Sequence, residues 1–177
     1  MRNTEIKAKV EDVKRLTELA RELCKGQDCT VLQQYDTFFK SPSGRLKLRL
    51  ENTNNRKEVS ELIFYERPNT EGPKLSSFHK ASVNDHENLR KVLELSMGVL
   101  GEVRKRRILF LHEQTRIHID DVEGIGTFVE LEVVLRHDQT PEEGKAIAES
   151  IMEKLEIKPE HLIAGSYMDC LLKSSEK

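Results

Sequence analysis

Strict alternation of charged and apolar residues is the feature that most limits how this chain can fold. In the segment Arg45-Leu46-Lys47-Leu48-Arg49-Leu50, every second side chain is basic and every other one is leucine. Side chains of a β-strand point to opposite faces with a period of two, so this segment predicts a strand with one basic and one apolar face. The chain is therefore expected to be built mainly on a β-sheet with two unlike faces.

Eight strands are predicted along the chain by alternation and by the turn-forming residues between them. They cover residues 3–10, 31–39, 45–50, 61–67, 74–83, 99–111, 114–122 and 127–136. The polar segment 51–57 is expected to be a hairpin loop, and the tail from 159 to 172 is short and mixed. The strands follow one another closely, which favours an antiparallel sheet.

Three helices are predicted from apolar residues at helical spacing. The first follows residue 12 and ends near Gly26, and the last begins at Thr140-Pro141 and runs to about Leu155. In the middle helix, Asn84 is expected to cap the start, and the buried face is expected to carry apolar side chains near its end. That face comprises Leu89, Val92, Leu93 and Leu95. Together these elements predict an α+β fold in a single domain over residues 1–177, and eight strands suffice for a closed sheet with a small interior.

Composition excludes several classes of protein. The net charge is −2 although 34% of the residues are charged, so a general nucleic-acid or acidic-membrane binder is not expected. Neither the apolar core of a signal peptide nor a stretch of about 20 apolar residues is visible. The expected location is the cytoplasm, and three cysteines at unrelated spacings are expected to be free thiols.

The charges of the predicted strands are sorted by sign rather than mixed. The basic stripes comprise Lys7, Lys9, Arg45, Lys47, Arg49, Lys105, Arg107 and Arg116, and the acidic ones Glu5, Asp120, Glu130 and Glu132. A solvated outer face is the usual meaning of such alternation, but a solvated face normally mixes signs within each strand. If these groups line an interior, eight cations face four carboxylates and require counter-ions. A polyanion bound by arginine and lysine, with a divalent metal on the carboxylates, would supply them.

The order of several short motifs resembles the CYTH superfamily of triphosphate tunnel enzymes over nearly the whole chain. The motifs are Asn3-Thr4-Glu5-Ile6-Lys7, Gln34-Tyr35-Asp36-Thr37-Phe38-Phe39, Gly44-Arg45-Leu46-Lys47-Leu48-Arg49, Tyr65-Glu66-Arg67-Pro68, Lys74-Leu75-Ser76, Lys105-Arg106-Arg107, Arg116-Ile117-His118-Ile119-Asp120, Gly126-Thr127-Phe128-Val129-Glu130-Leu131-Glu132 and Gly165-Ser166-Tyr167-Met168-Asp169. Each is weak alone, and their shared order and spacing are specific.

The resemblance implies a closed eight-stranded antiparallel β-barrel, a triphosphate tunnel, with the helices packed outside. It implies Mg²⁺ or Mn²⁺ bound by Glu5, Glu130 and Glu132, with Asp120 as a looser match that either holds a second metal or orients water. These four and Lys7 are the candidate catalytic residues. The candidate triphosphate ligands are Lys7, Lys9, Arg45, Lys47, Arg49, Arg67, Lys74, Lys105, Arg107 and Arg116.

Three functions are compatible with this resemblance. The first is a metal-dependent triphosphatase acting on inorganic triphosphate, ATP or thiamine triphosphate, as a monomer or a homodimer. The second is a class IV adenylate cyclase, and the third is a non-catalytic sensor of polyphosphate or nucleotide. Asn3 stands where the family motif begins with glutamate. His118 is expected to pack rather than react, while Tyr65 and Tyr167 either contact the substrate's variable end or pack in the core.

Overall fold

The computed structural model of the protein describes residues 1–53 and 56–175. Its strands are β1 (Arg2–Lys9), β2 (Thr30–Phe39), β3 (Arg45–Thr53), β4 (Arg56–Glu66), β5 (Lys74–Ser82), β6 (Val99–His112), β7 (Thr115–Val122) and β8 (Gly126–Val134). Its helices are α1 (Val13–Leu23), α2 (His86–Met97), α3 (Pro141–Lys154) and α4 (Tyr167–Ser175), with a short 3-10 helix at Pro159–His161. Within the described ranges, no helix is long and apolar enough to cross a membrane.

The eight strands form one closed barrel in the order β1-β5-β4-β3-β2-β6-β7-β8, and β8 pairs with β1 again. Every neighbouring pair is antiparallel. The α+β class and the closed eight-stranded antiparallel barrel predicted from the sequence are therefore confirmed. A barrel of this size has an interior that side chains largely fill, with room for one small ligand.

The apolar face of the barrel points outward and is covered by α1 and α3. Strand residues such as Ile6, Ile117 and Leu131 are completely buried there. They pack against Leu16 of α1 and Ile151 of α3. Because the strand period is two, covering this face with helices turns the charged face into the barrel.

The hairpin of β3 and β4 is longer than predicted. Pairing continues to Glu51 opposite Val59 and Thr53 opposite Arg56, so most of the predicted loop 51–57 is strand. Residues 54 and 55 of that loop lie outside the described residues, as do 176 and 177 of the predicted domain. The polar composition of this segment reflects exposure of Asn52 and Glu58 rather than a loop.

Helix α2 differs from the prediction at its start and on its apolar face. Its N-cap is Asp85, whose side chain accepts a hydrogen bond from the backbone N–H of Asn88, and not Asn84. Val92 and Leu95 are 59% and 75% exposed, so the predicted buried face is wrong for them. Helical spacing identifies an apolar stripe, but only a partner element buries it, and α2 lies at the margin of β2 and β3.

The C-terminal tail forms a helix, α4, where the sequence predicted only a short mixed segment. Its first residues, Tyr167 and Met168, are buried against the inside and the rim of the barrel. Gly101 of β6 makes this possible, since a Cβ there would lie 2.5 Å from Cε of Met168. Helix α4 thus closes against β6 at one end of the barrel.

Candidate active site

The barrel encloses a cavity of about 390 Å³ whose wall is strongly charged. Among the described residues, eight basic and six acidic side chains line it. They are Lys7, Lys47, Arg49, Arg67, Lys80, Lys105, Arg107 and Arg116, with Glu5, Asp36, Glu51, Glu61, Glu130 and Glu132. The predicted excess of eight cations over four carboxylates is therefore smaller in the structure. Three carboxylates that were not predicted line the cavity (Asp36, Glu51 and Glu61), and one that was predicted, Asp120, does not.

One part of the wall, the lysine side, consists of Asp36 and the three cations around it. Arg49 donates to both carboxylate oxygens of Asp36 at 2.7 Å, and Nζ of Lys47 lies 2.9 Å from Oδ2. Nζ of Lys105 is 3.8 Å from the same oxygen. One carboxylate thus faces three cations, which leaves positive charge available for an anion.

The pKa values of the lysine side reflect this crowding. Burial would raise the pKa of Asp36, but Arg49 and Lys47 hold it well below its usual range. Burial, together with the charge of Arg49, lowers the pKa of Lys47 to about 8. Burial and the charge of Arg107 lower the pKa of Lys105 well below its usual value. Two lysines therefore hold their protons weakly until an anion arrives.

The opposite part of the wall, the carboxylate side, consists of Glu5, His118, Glu130 and Glu132. In the barrel, Glu5 pairs with Glu132 across β1 and β8, and His118 with Glu130 across β7 and β8. One ligand atom from each of His118, Glu130 and Glu132 lies within 4.8 Å of the others. This spacing suits oxygen and nitrogen donors that share one metal ion.

Cations hold each carboxylate of this side in place. Glu130 accepts from Nζ of Lys7 at 3.0 Å and from Arg107 at 2.9 Å. Arg116 lies 2.7 Å from Glu132. Burial, followed by the charge of Glu130, raises the pKa of Glu5, whereas Lys7 holds the pKa of Glu130 well below its usual range against the effect of burial. Burial and the charge of Arg107 lower the pKa of His118.

Glu5 has a cationic partner on the far side of β5. Its Oε1 lies 2.6 Å from Nε of Arg67, a predicted triphosphate ligand that also lines the cavity. The same guanidinium donates to the carbonyls of Ala164 and Gly165 at 3.0 and 3.1 Å. Arg67 therefore connects the carboxylate side to the segment that precedes α4.

Two other predicted triphosphate ligands also hold the C-terminal segment and do not line the cavity. Lys74 donates to the carbonyls of Thr70 at 2.7 Å and Ile163 at 3.3 Å. Arg45 donates to Asp169 of α4 at 2.8 Å. The family resemblance implies phosphate binding for both residues, and in the structure their charged groups contact backbone carbonyls and a carboxylate of the C-terminal segment.

Asp120 and Lys9 also lie off the cavity wall. Asp120 is 0% exposed and accepts two hydrogen bonds from Arg107, at 2.7 and 2.6 Å, and one from the hydroxyl of Tyr167 at 2.8 Å. Lys9, the last residue of β1, is exposed where the barrel wall ends. The structure therefore shows Asp120 as the anchor of Arg107 and Tyr167, and shows Lys9 directed to solvent.

Sequence reasoning gave no site role to Asp36, expected His118 to pack, and left Tyr167 between a substrate contact and core packing. Asp36 is a single acid in a strand without strict alternation. It lies two residues from Gln34 and from Phe38, so all three point to the same face of β2, and all three line the cavity. His118 lies two residues from Arg116 on β7 and therefore points to the same face as this predicted site residue. The alternation of strand residues could not predict where Tyr167 points, because Tyr167 belongs to helix α4, which is not part of the sheet. Its ring lies 3.9 Å from Nζ of Lys7.

Several buried polar atoms of the cavity lack a hydrogen-bond partner among the described residues. They are Oδ1 of Asn3, Oε1 of Gln34 and Nδ1 of His118. A buried polar atom without a partner costs about 1–3 kcal/mol. Such atoms in a charged cavity indicate a place shaped for a polar ligand.

Comparison with known proteins agrees with this geometry. A family model described as the CYTH domain matches residues 1–167. The chain belongs to the CYTH family. The family resemblance read from the sequence motifs is thereby confirmed, and the match covers every strand and the start of α4.

Relatives extend over the same length. A protein of Methanocaldococcus jannaschii whose name describes it as a candidate adenylate cyclase is 27% identical over 184 aligned positions, covering 96% of this chain and 98% of its own. A solved structure of a Pyrococcus horikoshii protein superposes with a TM-score of 0.79 at 19% identity, covering 97% of this chain and 99% of that one. A Hippeastrum protein, described as a candidate adenylyl cyclase with a dominant triphosphatase activity, superposes with a TM-score of 0.58 at 18% identity, covering 93% and 91%.

Proposed function

We propose that this CYTH protein is a divalent-metal-dependent triphosphatase that releases orthophosphate from a triphosphate substrate. The observation that carries the proposal is the division of one cavity into a lysine side with surplus positive charge and a carboxylate side with metal-binding spacing. A triphosphate with a divalent cation has the complementary charges. Because both sides face the same cavity, phosphate and metal would meet there.

On the lysine side, Lys47, Arg49 and Lys105 would bind the phosphate oxygens. Arginine offers a planar fork of donors and lysine a compact charge, and both suit phosphate. Asp36 holds Arg49 by two hydrogen bonds, so this guanidinium is oriented before the substrate arrives. Positive charge fixed in advance around the transferring phosphoryl group is the main contribution that a protein makes to this reaction.

On the carboxylate side, Glu5, Glu130 and Glu132 would hold Mg²⁺ or Mn²⁺. The donor chemistry fits, because both ions accept carboxylate oxygens. Burial, followed by the charge of Glu130, raises the pKa of Glu5, and a bound cation would offset both effects. A bound ion would neutralise phosphate charge and lower the pKa of a coordinated water. Asp120 is not needed as a ligand here, since its oxygens are already engaged by Arg107 and Tyr167.

An adenylate cyclase is the second candidate, and the name of the Methanocaldococcus relative favours it. The description of the Hippeastrum protein, which gives a triphosphatase activity as dominant, supports hydrolysis first. The two reactions differ in their products, orthophosphate in one and cyclic AMP with pyrophosphate in the other. A sensor without turnover is the third possibility and would give neither.

The test is a screen of inorganic triphosphate, ATP and thiamine triphosphate with added Mg²⁺ or Mn²⁺, with products identified by chromatography. The proposal expects orthophosphate and the matching diphosphate, and no release in EDTA. Cyclic AMP with pyrophosphate as the main products would replace it by the cyclase. Tight binding of a triphosphate without any product would establish the sensor.

A further inference from the structure

His118 is a buried side chain of the cavity that the proposed reaction has not used. It is 3% exposed and lines the cavity between Arg116 and Asp120 on β7. Its Nδ1 is buried without a hydrogen-bond partner. The nearest carboxylate oxygen, Oε2 of Glu130, is 3.9 Å away, beyond hydrogen-bonding distance.

The surroundings of His118 match those of a metal ligand better than those of a packing residue. Its strand partner is Glu130, and Glu132 pairs with Arg116 two residues earlier on β7. His118, Glu130 and Glu132 form the group whose ligand atoms lie within 4.8 Å of one another. A packed histidine normally satisfies its ring nitrogens with protein partners, whereas this Nδ1 has none among the residues described.

We propose that His118 supplies an imidazole nitrogen to the metal ion held by Glu130 and Glu132, and that this nitrogen makes the site prefer Mn²⁺ to Mg²⁺. The inference rests on the proposed function only in expecting a metal at these carboxylates. Mg²⁺ binds oxygen and keeps much of its water. Mn²⁺ also favours oxygen ligands and is the weakest binder among the first-row transition ions, but it accepts an imidazole nitrogen more readily than Mg²⁺ does. A site that adds one imidazole to its carboxylates therefore discriminates between ions that a site of carboxylates alone binds more equally.

Asn3 is a further residue of the cavity that affects the charge of the proposed metal site. The position that begins the first-strand motif carries no charge here, and Asn3 is buried in the cavity wall. The site thus has a neutral nitrogen donor on β7 and a neutral amide on β1, with carboxylates on β1 and β8. Fewer negative charges weaken the site for both ions, and the imidazole shifts the preference from Mg²⁺ toward Mn²⁺.

The direct test is pulsed electron paramagnetic resonance of Mn²⁺ bound to the full chain without substrate. Coordination by His118 predicts a ¹⁴N modulation in the wild-type spectrum, and its loss in His118→Gln and His118→Leu. The matched control is His79→Gln, which removes an exposed histidine of β5 and should keep the modulation. Wild-type protein that binds Mn²⁺ without ¹⁴N modulation would overturn the proposal, and this result needs no variant to fold.

Isothermal titration supplies the second measurement. In His118→Gln, affinity for Mn²⁺ should fall by at least roughly ten-fold and affinity for Mg²⁺ much less. Equal losses for both ions would contradict the claimed selectivity. These outcomes are separate from turnover: ¹⁴N coupling in a protein that hydrolyses no triphosphate leaves this inference standing and removes the proposed function, while hydrolysis without ¹⁴N coupling does the reverse.

Discussion

The lysine side and the carboxylate side of the cavity are built from similar parts with different balances of charge. Beside each lies an arginine that donates two hydrogen bonds to an aspartate directly opposite on the next strand. The pairs are Arg49 with Asp36 in the lysine side and Arg107 with Asp120 next to the carboxylate side. On the lysine side two further cations approach the same aspartate. On the carboxylate side Arg107 also donates to Glu130.

Under the proposed function, this difference separates an anion site from a cation site within one barrel. Asp36 is surrounded by three cations. Burial, together with the charges of neighbouring arginines, lowers the pKa values of the two lysines among them. Asp120 accepts hydrogen bonds from one arginine and one tyrosine, has Lys105 as a further nearby cation, and does not line the cavity. The first aspartate therefore orients a binding group, and the second mainly keeps its own arginine in place.

Removing each arginine tests this contrast most strongly. Arg107→Ala would leave Asp120 buried with no charged hydrogen-bond donor and only Lys105 as a nearby cation, and the free energy of unfolding should fall by about 3–5 kcal/mol. Arg49→Ala should cost less, because Lys47 and Lys105 still compensate Asp36. Urea unfolding of the two variants and the wild type measures the difference. Equal losses would show that the two pairs play the same structural role.

Replacing one carboxylate of the proposed metal site should separate activity from anion binding. Glu132→Gln removes charge and little volume, so metal-dependent turnover should fall by at least roughly 100-fold. Binding of triphosphate without metal should persist or become tighter, because a negative charge has left the cavity.

The matched control for this variant is Glu102→Gln on the outer face of β6, where Glu102 pairs with Arg90. Its activity should stay close to that of the wild type. Turnover of Glu132→Gln equal to wild type at limiting metal would exclude Glu132 as a ligand and move the metal site elsewhere in the barrel.

The lysine side should be sensitive to alkaline pH. Lys47 has a pKa of about 8 in the folded protein against 10.5 as a free side chain. Triphosphate affinity should therefore weaken above about pH 8, with a limiting slope of about ten-fold per pH unit for one proton. Over the same range, from about 8 to 10.5, the unfolded state binds more protons at Lys47, so stability without ligand should rise.

Lys47→Arg is the control, since its charge persists across this range. Triphosphate binding to both proteins is measured by calorimetric titration from pH 7 to 10. Ionisation of the triphosphate affects both series equally, so the difference between the two pH profiles reports on Lys47. Identical pH profiles would mean that Lys47 does not lose its proton near pH 8 or does not contact the anion.

Period-two alternation predicted the barrel and most of the wall because it reports which strand face is covered. It placed Lys7, Arg49 and Glu130 correctly inside without any knowledge of the helices. It could not predict which cations bind phosphate and which hold α4, because Arg45 and Lys74 meet the C-terminal segment through contacts about 90 or more residues apart. Local pattern determines the face of a side chain, and only the assembled fold determines its partner.

The smallest expected effect concerns the hydroxyl of Tyr167, which is the one contact from α4 to Asp120 among the described residues. Tyr167→Phe keeps the ring beside Phe128 and above Lys7, and removes one buried hydrogen bond. Unfolding free energy should fall by about 1 kcal/mol, since Asp120 retains both bonds from Arg107. If stability falls and triphosphate turnover is kept, Tyr167 is a structural part of the closed end. Unchanged stability with a raised KM for one organic triphosphate, and not for inorganic triphosphate, would instead show that the hydroxyl contacts the substrate's variable end.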